Sequence, residues 1–382
     1  MLFSRPIILG MGIPDEVHKT FSNTEDLLNF LGGNVGNLAF HEAIINYIGP
    51  NLKKLWWGSS SQKINSNGDV AIIPCANHLR QNFSCRNVNQ SFKDVTIPLV
   101  AVGLGSDGPI DSEKETDISD DIKELVSIIA EHAPSESPNI TLRSPDALKI
   151  MSRLGLQDAC TVLGCPSLFI SPEKKLGEKI INNLKEIKNI VILAGNSSWS
   201  YLSPLENKLT KLISDNGAYL IQHPLNMIKL ARTKFSELTD EEISKIKKFS
   251  CHYMNNEEFF GFVNKKCITF FSLNPWLEYY RNFDFVVGAR IHGTILALQM
   301  GIPALCIAHD KRTLEMCKFM NIPFVKYSDI IDMNITNEFL LDTFRAIFNE
   351  NEFDEKRMDL ARGHQKFFTD NKIRSNFSLL KN

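Results

Sequence analysis

The chain has 382 residues, of which 43% are apolar and 23% are charged, and its net charge is −2. This is the composition of an ordinary globular protein, long enough for two domains with separate cores and without a basic surface for nucleic acid. No run approaches the roughly 18 apolar residues of a membrane-spanning helix, and the apolar patch at residues 6–14 is too short for a secretory signal. The eight cysteines form no C-x-x-C pair. We therefore expect reduced, structural thiols and a cytoplasmic location.

The first half of the chain predicts an α/β domain. Apolar runs predict strands at residues 69–74, 98–104, 139–142 and 159–163, and helical periods predict helices at 38–48, 122–131 and 145–154. The Ser-rich stretch after Trp56-Trp57 is predicted to be a loop. The polar segment that holds His78, Arg80 and Arg86 is predicted to be a solvated loop, and residues 110–121 an acidic surface excursion.

Two loops of this half carry groups that suit sugar hydroxyls. Asn34 and Asn37 lie in a Gly/Asn loop that enters the first helix, and Ser106 and Asp107 follow the strand at 98–104. Amide, hydroxyl and carboxylate groups can bind sugar hydroxyls, and the N–H groups of the Gly/Asn loop could also bind a phosphate. We predict that both loops face the cleft and bind a sugar. The alternative for residues 33–37 is an ordinary tight turn, which needs the same residue types.

The second half repeats the pattern. Strands are predicted at 189–194, 218–222, 267–271, 283–287, 304–308 and 322–325, and helices at 204–216, from 224 onward, and at 240–249, 273–281, 338–350 and 354–368. A linker at 171–175 separates the halves. The predicted fold is therefore α/β, with two Rossmann-like domains (1–170 and 171–335) that face each other across a cleft. A helical tail (336–382) is expected to pack back on the first domain.

Arginines stand at the ends of strands in both halves. Arg143 directly follows the strand predicted at 139–142. Arg290 and His292 lie where a predicted strand ends and the next helix begins. Ligands of open α/β sheets bind at such carboxyl ends, and the next helix offers free N–H groups to an anion. The alternative is that the arginine only stabilises a loop and the histidine belongs to the core. However, the small residues Gly293 and Thr294 leave room for a ligand to approach the backbone closely. His223 also stands at a strand end and is a weaker candidate for the cleft.

The segment G-A-R-I-H-G-T-I-L-A-L-Q-M-G-I-P, followed by H-D-K, resembles the signature of the polysaccharide pyruvyl transferase family. Supporting matches are G-N-V-G-N at 33–37, V-G-L-G at 102–105, T-L-R-S at 141–144 with D-A-L at 146–148, and L-G-C-P-S at 163–167. The chain departs from the family pattern at Asn37 and Ser144, where the family usually has aspartate. No role is therefore assigned to a carboxylate at those two positions.

The resemblance implies a GT-B-like architecture and transfer of pyruvate from phosphoenolpyruvate to two hydroxyls of a sugar, which forms a cyclic ketal. The acceptor would belong to a polysaccharide or its lipid-linked precursor, as in exopolysaccharide, capsule or cell-wall synthesis, with peripheral contact to that lipid. Phosphoenolpyruvate would be the donor substrate, with no separate cofactor and no metal, and the partners would include no nucleic acid. The donor-binding residues would be Arg143, Arg290, His292, Gly293, Thr294 and Lys311, with His292 and Arg290 catalytic.

Two other functions fit the same architecture. One is a glycosyltransferase that uses a nucleotide sugar, for which we find no well-placed carboxylate to bind the ribose near residues 288–303. The other is a non-catalytic glycan-binding relative, which the departures at Asn37 and Ser144 suggest.

Overall fold

The computed structural model describes residues 2–11, 23–49, 52–108, 110 and 117–381. Half of the predicted acidic excursion at 110–121 lies outside these residues, as does the end of the apolar patch at 6–14. Within the described residues no helix combines the length and the apolarity needed to cross a membrane.

The first half contains a parallel sheet with helices on both faces. In the described residues its strands run in the order β2-β1-β3-β4-β5-β6. The strands are β1 (Pro6–Gly10), β2 (Lys53–Trp56), β3 (Val70–Pro74), β4 (Leu99–Leu104), β5 (Ile140–Leu142) and β6 (Cys160–Val162). The helices are α1 (Thr24–Phe30), α2 (Asn37–Ile48), α3 (Ser61–Asn67), α4 (Arg86–Lys93), α5 (Asp120–Glu131) and α6 (Pro145–Arg153).

The second half has the same design. Its parallel strands run in the order β12-β11-β10-β7-β8-β9 among the described residues. They are β7 (Ile190–Leu193), β8 (Ala218–Leu220), β9 (Cys267–Ile268), β10 (Phe285–Gly288), β11 (Ala304–Ala308) and β12 (Phe324–Lys326). The helices are α7 (Leu176–Asn182), α8 (Ser203–Thr210), α9 (Leu225–Ala231), α10 (Asp240–Ser250), α11 (Asn256–Lys266), α12 (Leu273–Tyr280), α13 (Ile291–Gln299), α14 (Lys311–Met320) and α15 (Tyr327–Ile330).

Several predicted elements differ from the structure. The predicted Ser-rich loop contains α3, because Ser60 caps that helix by accepting from the Lys63 N–H at 3.4 Å. The strand β1 and the edge strand β2 were not predicted, and the strand predicted at 267–271 is only two residues long. The polar segment after β3 is not simply a solvated loop: Arg86 begins α4, and His78 and Arg80 line the cleft described below.

The two faces of the first sheet belong to different cores. Side chains alternate along each strand, so Ile8 of β1 points to one side and Ile7 and Leu9 to the other. The face with Ile8 packs on α2 and shares one continuous apolar cluster with the second domain, whereas the face with Ile7 packs on a smaller, separate cluster. The two domains are thus held together by a common core beneath the cleft.

The tail, α16 (Asn337–Ile347) and α17 (Glu350–Asp370), returns from the second domain to the first. The fully buried Arg357 donates from Nε to the Leu168 carbonyl at 3.0 Å and from the two Nη atoms to the carbonyls of Glu173 and Ser171. Farther along, Phe377 stacks on Tyr47 of α2 with 4.3 Å between ring centroids. The tail therefore contacts both halves and the segment that joins them; the boundaries at 170 and 335 stay predictions.

Candidate functional site

The carboxyl ends of both sheets meet at one cleft between the domains, with a volume of about 680 Å³. This placement follows from the parallel topology, because every strand of a parallel sheet ends at the same edge. The described residues that line the cleft are Leu9, Gly10, Met11, Gly32, Gly33, Asn34, Asn37, Phe40, His41, Trp56, Trp57, Pro74, Ala76, Asn77, His78, Arg80, Phe83, Asp107, Arg143, Trp199, His223, Arg290, His292, Asp310 and Arg312.

Arg143 enters the cleft from the first domain. It follows β5 and is 1% exposed. Its Nη2 donates to the Cys75 carbonyl at 2.7 Å, and its guanidinium lies 4.6 Å from the centroid of the Phe40 ring. Among the described residues it has no ion pair, and its buried Nε has no hydrogen-bond partner. Burial lowers the pKa of Arg143, so a bound anion would relieve an unfavourable buried charge.

Arg290 enters from the second domain, where it is the N-cap residue of α13. Its Nε donates to the Ala194 carbonyl at 3.0 Å, and its guanidinium lies 4.8 Å from the Trp199 ring. Burial, and then the nearby Arg312, lower the pKa of Arg290 to about 10. Like Arg143, it has no ion pair with a described residue, and its direct contacts are with carbonyls and a ring.

Arg312 is a third arginine of the cleft, and the sequence analysis did not select it. Asp310, the N-cap of α14, accepts from the Thr313 N–H at 2.7 Å and from Arg312 Nη2 at 3.3 Å. With the Asn77 amide turned to match its donors, its oxygen accepts from Nη1 and Nε of Arg312 at 2.9 and 3.1 Å. Although burial opposes ionisation of both groups, the pair holds the pKa of Asp310 below and that of Arg312 above the usual values.

Lys311, predicted to bind the donor, does not line the cleft. Its Nζ pairs with Asp146 Oδ1 at 2.7 Å. The sequence motif H-D-K had pointed to the strand end correctly, but successive helical residues point about 100° apart. Because Asp310 fixes the start of α14, Lys311 points towards α6 and Arg312 towards the cleft. The N-cap residue Asp310 was the sequence signal that could have shown which of Lys311 and Arg312 faces the cleft.

His292 lies in the first turn of α13 and is 7% exposed. Its Nε2 is 3.7 Å from Cys165 Sγ, and its ring centroid is 5.5 Å from that of Phe40. Burial lowers the pKa of His292 well below its usual value, and Arg143 and Arg312 lower it further. The imidazole is therefore neutral, which suits a proton acceptor better than a permanent cationic anchor.

Gly293 and Thr294 do not reach the cleft lining. A Cβ on Gly293 would come within 2.6 Å of Gln222 Nε2 and 2.8 Å of Leu193 Cδ2. Thr294 is fully buried and donates from Oγ1 to the Arg290 carbonyl at 3.3 Å. Gly293 therefore serves close packing of α13 against β7, and Thr294 stabilises the first turn that carries Arg290.

The predicted acceptor loops are only partly brought to the cleft. Asn34 and Asn37 line it, but Asn34 Oδ1 accepts from the Gly36 N–H at 2.8 Å, and Asn37 Nδ2 donates to the Leu31 carbonyl at 3.0 Å. Asp107 also lines it, with Oδ1 accepting from the Gly108 N–H at 2.9 Å. Ser106 does not, because it is buried and donates to Asp146 at 3.2 Å. Both asparagines thus order their own loop.

Several histidines of the cleft are neutral. His223, a weaker candidate from the sequence, lines the cleft next to Arg290, and burial together with Arg290 lowers its pKa well below the usual value. The pKa of His78 is lowered to about 3 by burial and by Arg143. The described lining carries four arginines (80, 143, 290 and 312) against Asp107 and Asp310. Its net charge is therefore positive, which favours an anionic ligand.

Among the described residues, no group of three or more histidine, cysteine, aspartate or glutamate side chains is placed to hold a metal ion. The arginines could take the place of a metal as the positive charges beside an anion. That the reaction needs no metal stays a prediction.

Together, these features define a class: a GT-B-like α/β protein with two Rossmann-like domains and an arginine-lined cleft between them. A family model described as polysaccharide pyruvyl transferase matches residues 34–311, which include Arg143, Arg290 and His292. The chain belongs to the polysaccharide pyruvyl transferase family. The resemblance seen in the sequence and the predicted fold class are thus confirmed.

No curated protein matches the chain. Solved structures with similar chains include Anabaena Alr3699/HepE in complex with UDP and glucose, at 10% identity and a TM-score of 0.47, covering 96% of this chain and 99% of that one. The UDP-GlcNAc 2-epimerase from Methanocaldococcus jannaschii has 12% identity and a TM-score of 0.43, with coverages of 94% and 99%. Similarity at this level carries no information about the ligand of this cleft.

Proposed function

We propose that this protein transfers pyruvate from phosphoenolpyruvate to two hydroxyls of a sugar in a polysaccharide or its lipid-linked precursor, and forms a cyclic ketal. One observation carries the proposal: Arg143, Arg290 and Arg312 come from both domains into one cleft, and the first two have no ion pair among the described residues. Family membership supports a pyruvyl transferase; the donor, the ketal and a cytoplasmic location belong to this proposal.

Phosphoenolpyruvate matches these cations because its carboxylate and phosphate are both anionic and lie close together. A guanidinium can form two parallel hydrogen bonds to either group. Arg143 has a buried Nε without a partner and is therefore a suitable donor to one of them. Arg290 and Arg312 lie on the opposite side of the cleft and would bind the other group.

The reaction needs one proton added to the methylene carbon and two removed from sugar hydroxyls. Protonation makes the central carbon electrophilic, one hydroxyl adds to it, phosphate leaves, and the second hydroxyl closes the ring. His292 is the buried neutral base nearest the start of α13, so we assign it the removal of a hydroxyl proton. A bound phosphate would raise its pKa and stabilise the imidazolium that forms. The arginines hold the departing phosphate.

The experiment measures phosphate release from phosphoenolpyruvate in the presence of methyl hexopyranosides, together with the mass of the sugar product. The product should gain the mass of pyruvic acid less one water. His292→Ala should lower kcat by about 10²–10⁴-fold while phosphoenolpyruvate affinity is nearly retained. Lost affinity with unchanged turnover would make His292 a phosphate ligand. Absence of phosphoenolpyruvate binding to the unaltered protein would overturn the proposal.

A further inference from the structure

Two consecutive tryptophans, Trp56 and Trp57, line the cleft. Trp56 is the last residue of the edge strand β2 and is 47% exposed, and Trp57 follows it. The Trp57 N–H donates to the Gly10 carbonyl at 3.1 Å, which fixes the backbone at the end of the strand. Next to Trp57, the half-exposed indole of Trp56 gives the polar cleft an apolar patch, which a single exposed side chain would not do.

Three aromatic side chains (Trp57, His78 and Phe83) contact one another, and together with Trp56, which lines the same cleft, we call them the aromatic wall. The Trp57 and His78 rings stack with 5.7 Å between centroids and an angle of 11°. His78 and Phe83 are 4.9 Å apart, and Trp57 and Phe83 are 6.1 Å apart. All four side chains line the cleft. The wall is therefore prearranged in the first domain.

The chemistry of the wall suits an uncharged ring with polarised C–H bonds. His78 is neutral near pH 7, because its pKa is lowered to about 3 by burial and Arg143. Aromatic faces carry partial negative charge and attract partially positive hydrogens. One face of a pyranose presents several such C–H groups, while its hydroxyls project around the edge. A pyranose could thus lie on the wall with its hydroxyls free to react.

The wall also borders the cations of the donor site. Asn77, the residue before His78, accepts from Arg312 of the second domain at 2.9 and 3.1 Å. The segment that carries His78 is itself fixed to the strand end, because the Leu79 N–H donates to the Gly105 carbonyl at 3.1 Å. A ring on the wall therefore lies beside the arginines and not at a remote surface.

We propose that the aromatic wall binds the pyranose ring of the acceptor and directs its hydroxyls towards Arg143, Arg290 and Arg312. This inference rests on the proposed function and names the surface that recognises its second substrate. It replaces the loops at Asn34 and Asn37 as the main acceptor contact, because the amide groups of those residues already bind their own loop.

The chain has four tryptophans, so binding of both substrates can be followed through the indole N–H signals of one NMR spectrum. Trp56 and Trp57 report on the wall, Trp199 lies under Arg290, and the fully buried Trp276 is an internal reference. We would label the indole nitrogens, assign them by single Trp→Phe variants, and titrate phosphoenolpyruvate and then methyl glycosides of glucose, galactose and mannose. Phosphoenolpyruvate should shift the indole signal of Trp199, and a glycoside should shift the indole signals of Trp56 and Trp57.

The outcomes are separable. If phosphoenolpyruvate leaves Trp199 unchanged, the proposed function fails; if it shifts Trp199 but no glycoside shifts Trp56 or Trp57, only the acceptor inference is overturned. Trp56→Ala should raise the acceptor KM about tenfold with the phosphoenolpyruvate KM unchanged, and Trp56→Phe should restore most of it. Tyr253→Ala, at another exposed aromatic that does not line the cleft, is the matched control. An unchanged acceptor KM in Trp56→Ala would also overturn the inference.

Discussion

Each guanidinium of the cleft has a different environment. Arg312 has a carboxylate partner in Asp310, whereas Arg143 and Arg290 are held by carbonyl groups and by the faces of Phe40 and Trp199. Backbone carbonyls orient a cation without neutralising it. The two arginines without a carboxylate partner among the described residues are therefore oriented in advance and gain most from a bound anion.

Replacing Arg290 by lysine tests this orientation. An ammonium keeps the charge but cannot reproduce the planar donor arrangement, so Arg290→Lys should cost on the order of 2 kcal/mol, or about 30-fold in phosphoenolpyruvate affinity. Titration calorimetry would measure it. Arg345→Lys is the matched control, because Arg345 is 54% exposed and pairs only along its own helix with Asp342. Equal affinities in the two variants would show that charge alone binds the donor.

The sequence identified Arg143, Arg290 and His292 because strand ends can be read from hydrophobic patterns, and strand ends of parallel sheets meet. It could not identify the partners of these side chains. Asn34 and Ser106 were predicted from composition, but whether an amide or hydroxyl is free depends on backbone geometry. Lys311 was predicted from the H-D-K motif, which does not show how α14 begins and therefore does not show that Arg312 faces the cleft.

At the scale of elements, the fold was readable where strands appear as long apolar runs, and the two neighbouring strands β1 and β2 were missed. The central strands β4 and β10 are buried along their whole length and appear as continuous apolar runs. The edge strand β2 reads K-K-L-W, with Lys53 and Trp56 exposed and only Leu55 buried, and resembles a loop. The aromatic wall begins at that edge, which explains why the sequence analysis overlooked it.

The junction of β10 and α13 requires glycine at its start. Gly288 has φ +151° and pairs in register with Leu193, whose backbone atoms a Cβ would strike. We expect Gly288→Ala to lower the free energy of unfolding by about 2–4 kcal/mol. Gly261→Ala, inside α11 with open space around the new methyl group, should raise it by about 0.5–1 kcal/mol.

Urea denaturation followed by circular dichroism would measure both glycine variants. Two variants of equal stability would contradict the role assigned to this junction. A destabilised but folded Gly288→Ala should also bind phosphoenolpyruvate weakly, because Arg290 follows the displaced strand by two residues.

At the scale of the whole molecule, buried neutral histidines make stability depend on pH. Burial lowers the pKa values of His41 to about 3 and of His309 and His364 to about 4, and also lowers that of His292. The unfolded chain binds protons at these residues near pH 6.5, so it holds more protons than the folded chain below that pH. Stability should be complete above pH 6.5 and fall as the pH approaches 4, by up to about 1.4 kcal/mol per pH unit for each histidine.

Urea midpoints between about pH 7 and about pH 5 would test this dependence, because most carboxylates titrate lower. His364 lies in the tail and does not line the cleft. His364→Gln should therefore reduce the pH dependence of the free energy of unfolding by the contribution of one histidine. A midpoint that does not change over this range would contradict the burial of neutral imidazoles.

The two separate apolar clusters of the first sheet bear on how such a protein can change through evolution. Trp57 and Phe83 pack against the smaller cluster, on the side of the sheet away from the core shared with the second domain. Substitutions around the aromatic wall can therefore accumulate without disturbing the larger cluster, which joins the two domains. On the proposed function, a preference for a different sugar could arise by substitutions in the aromatic wall alone. The arginines that would bind the donor would remain under a separate selective constraint.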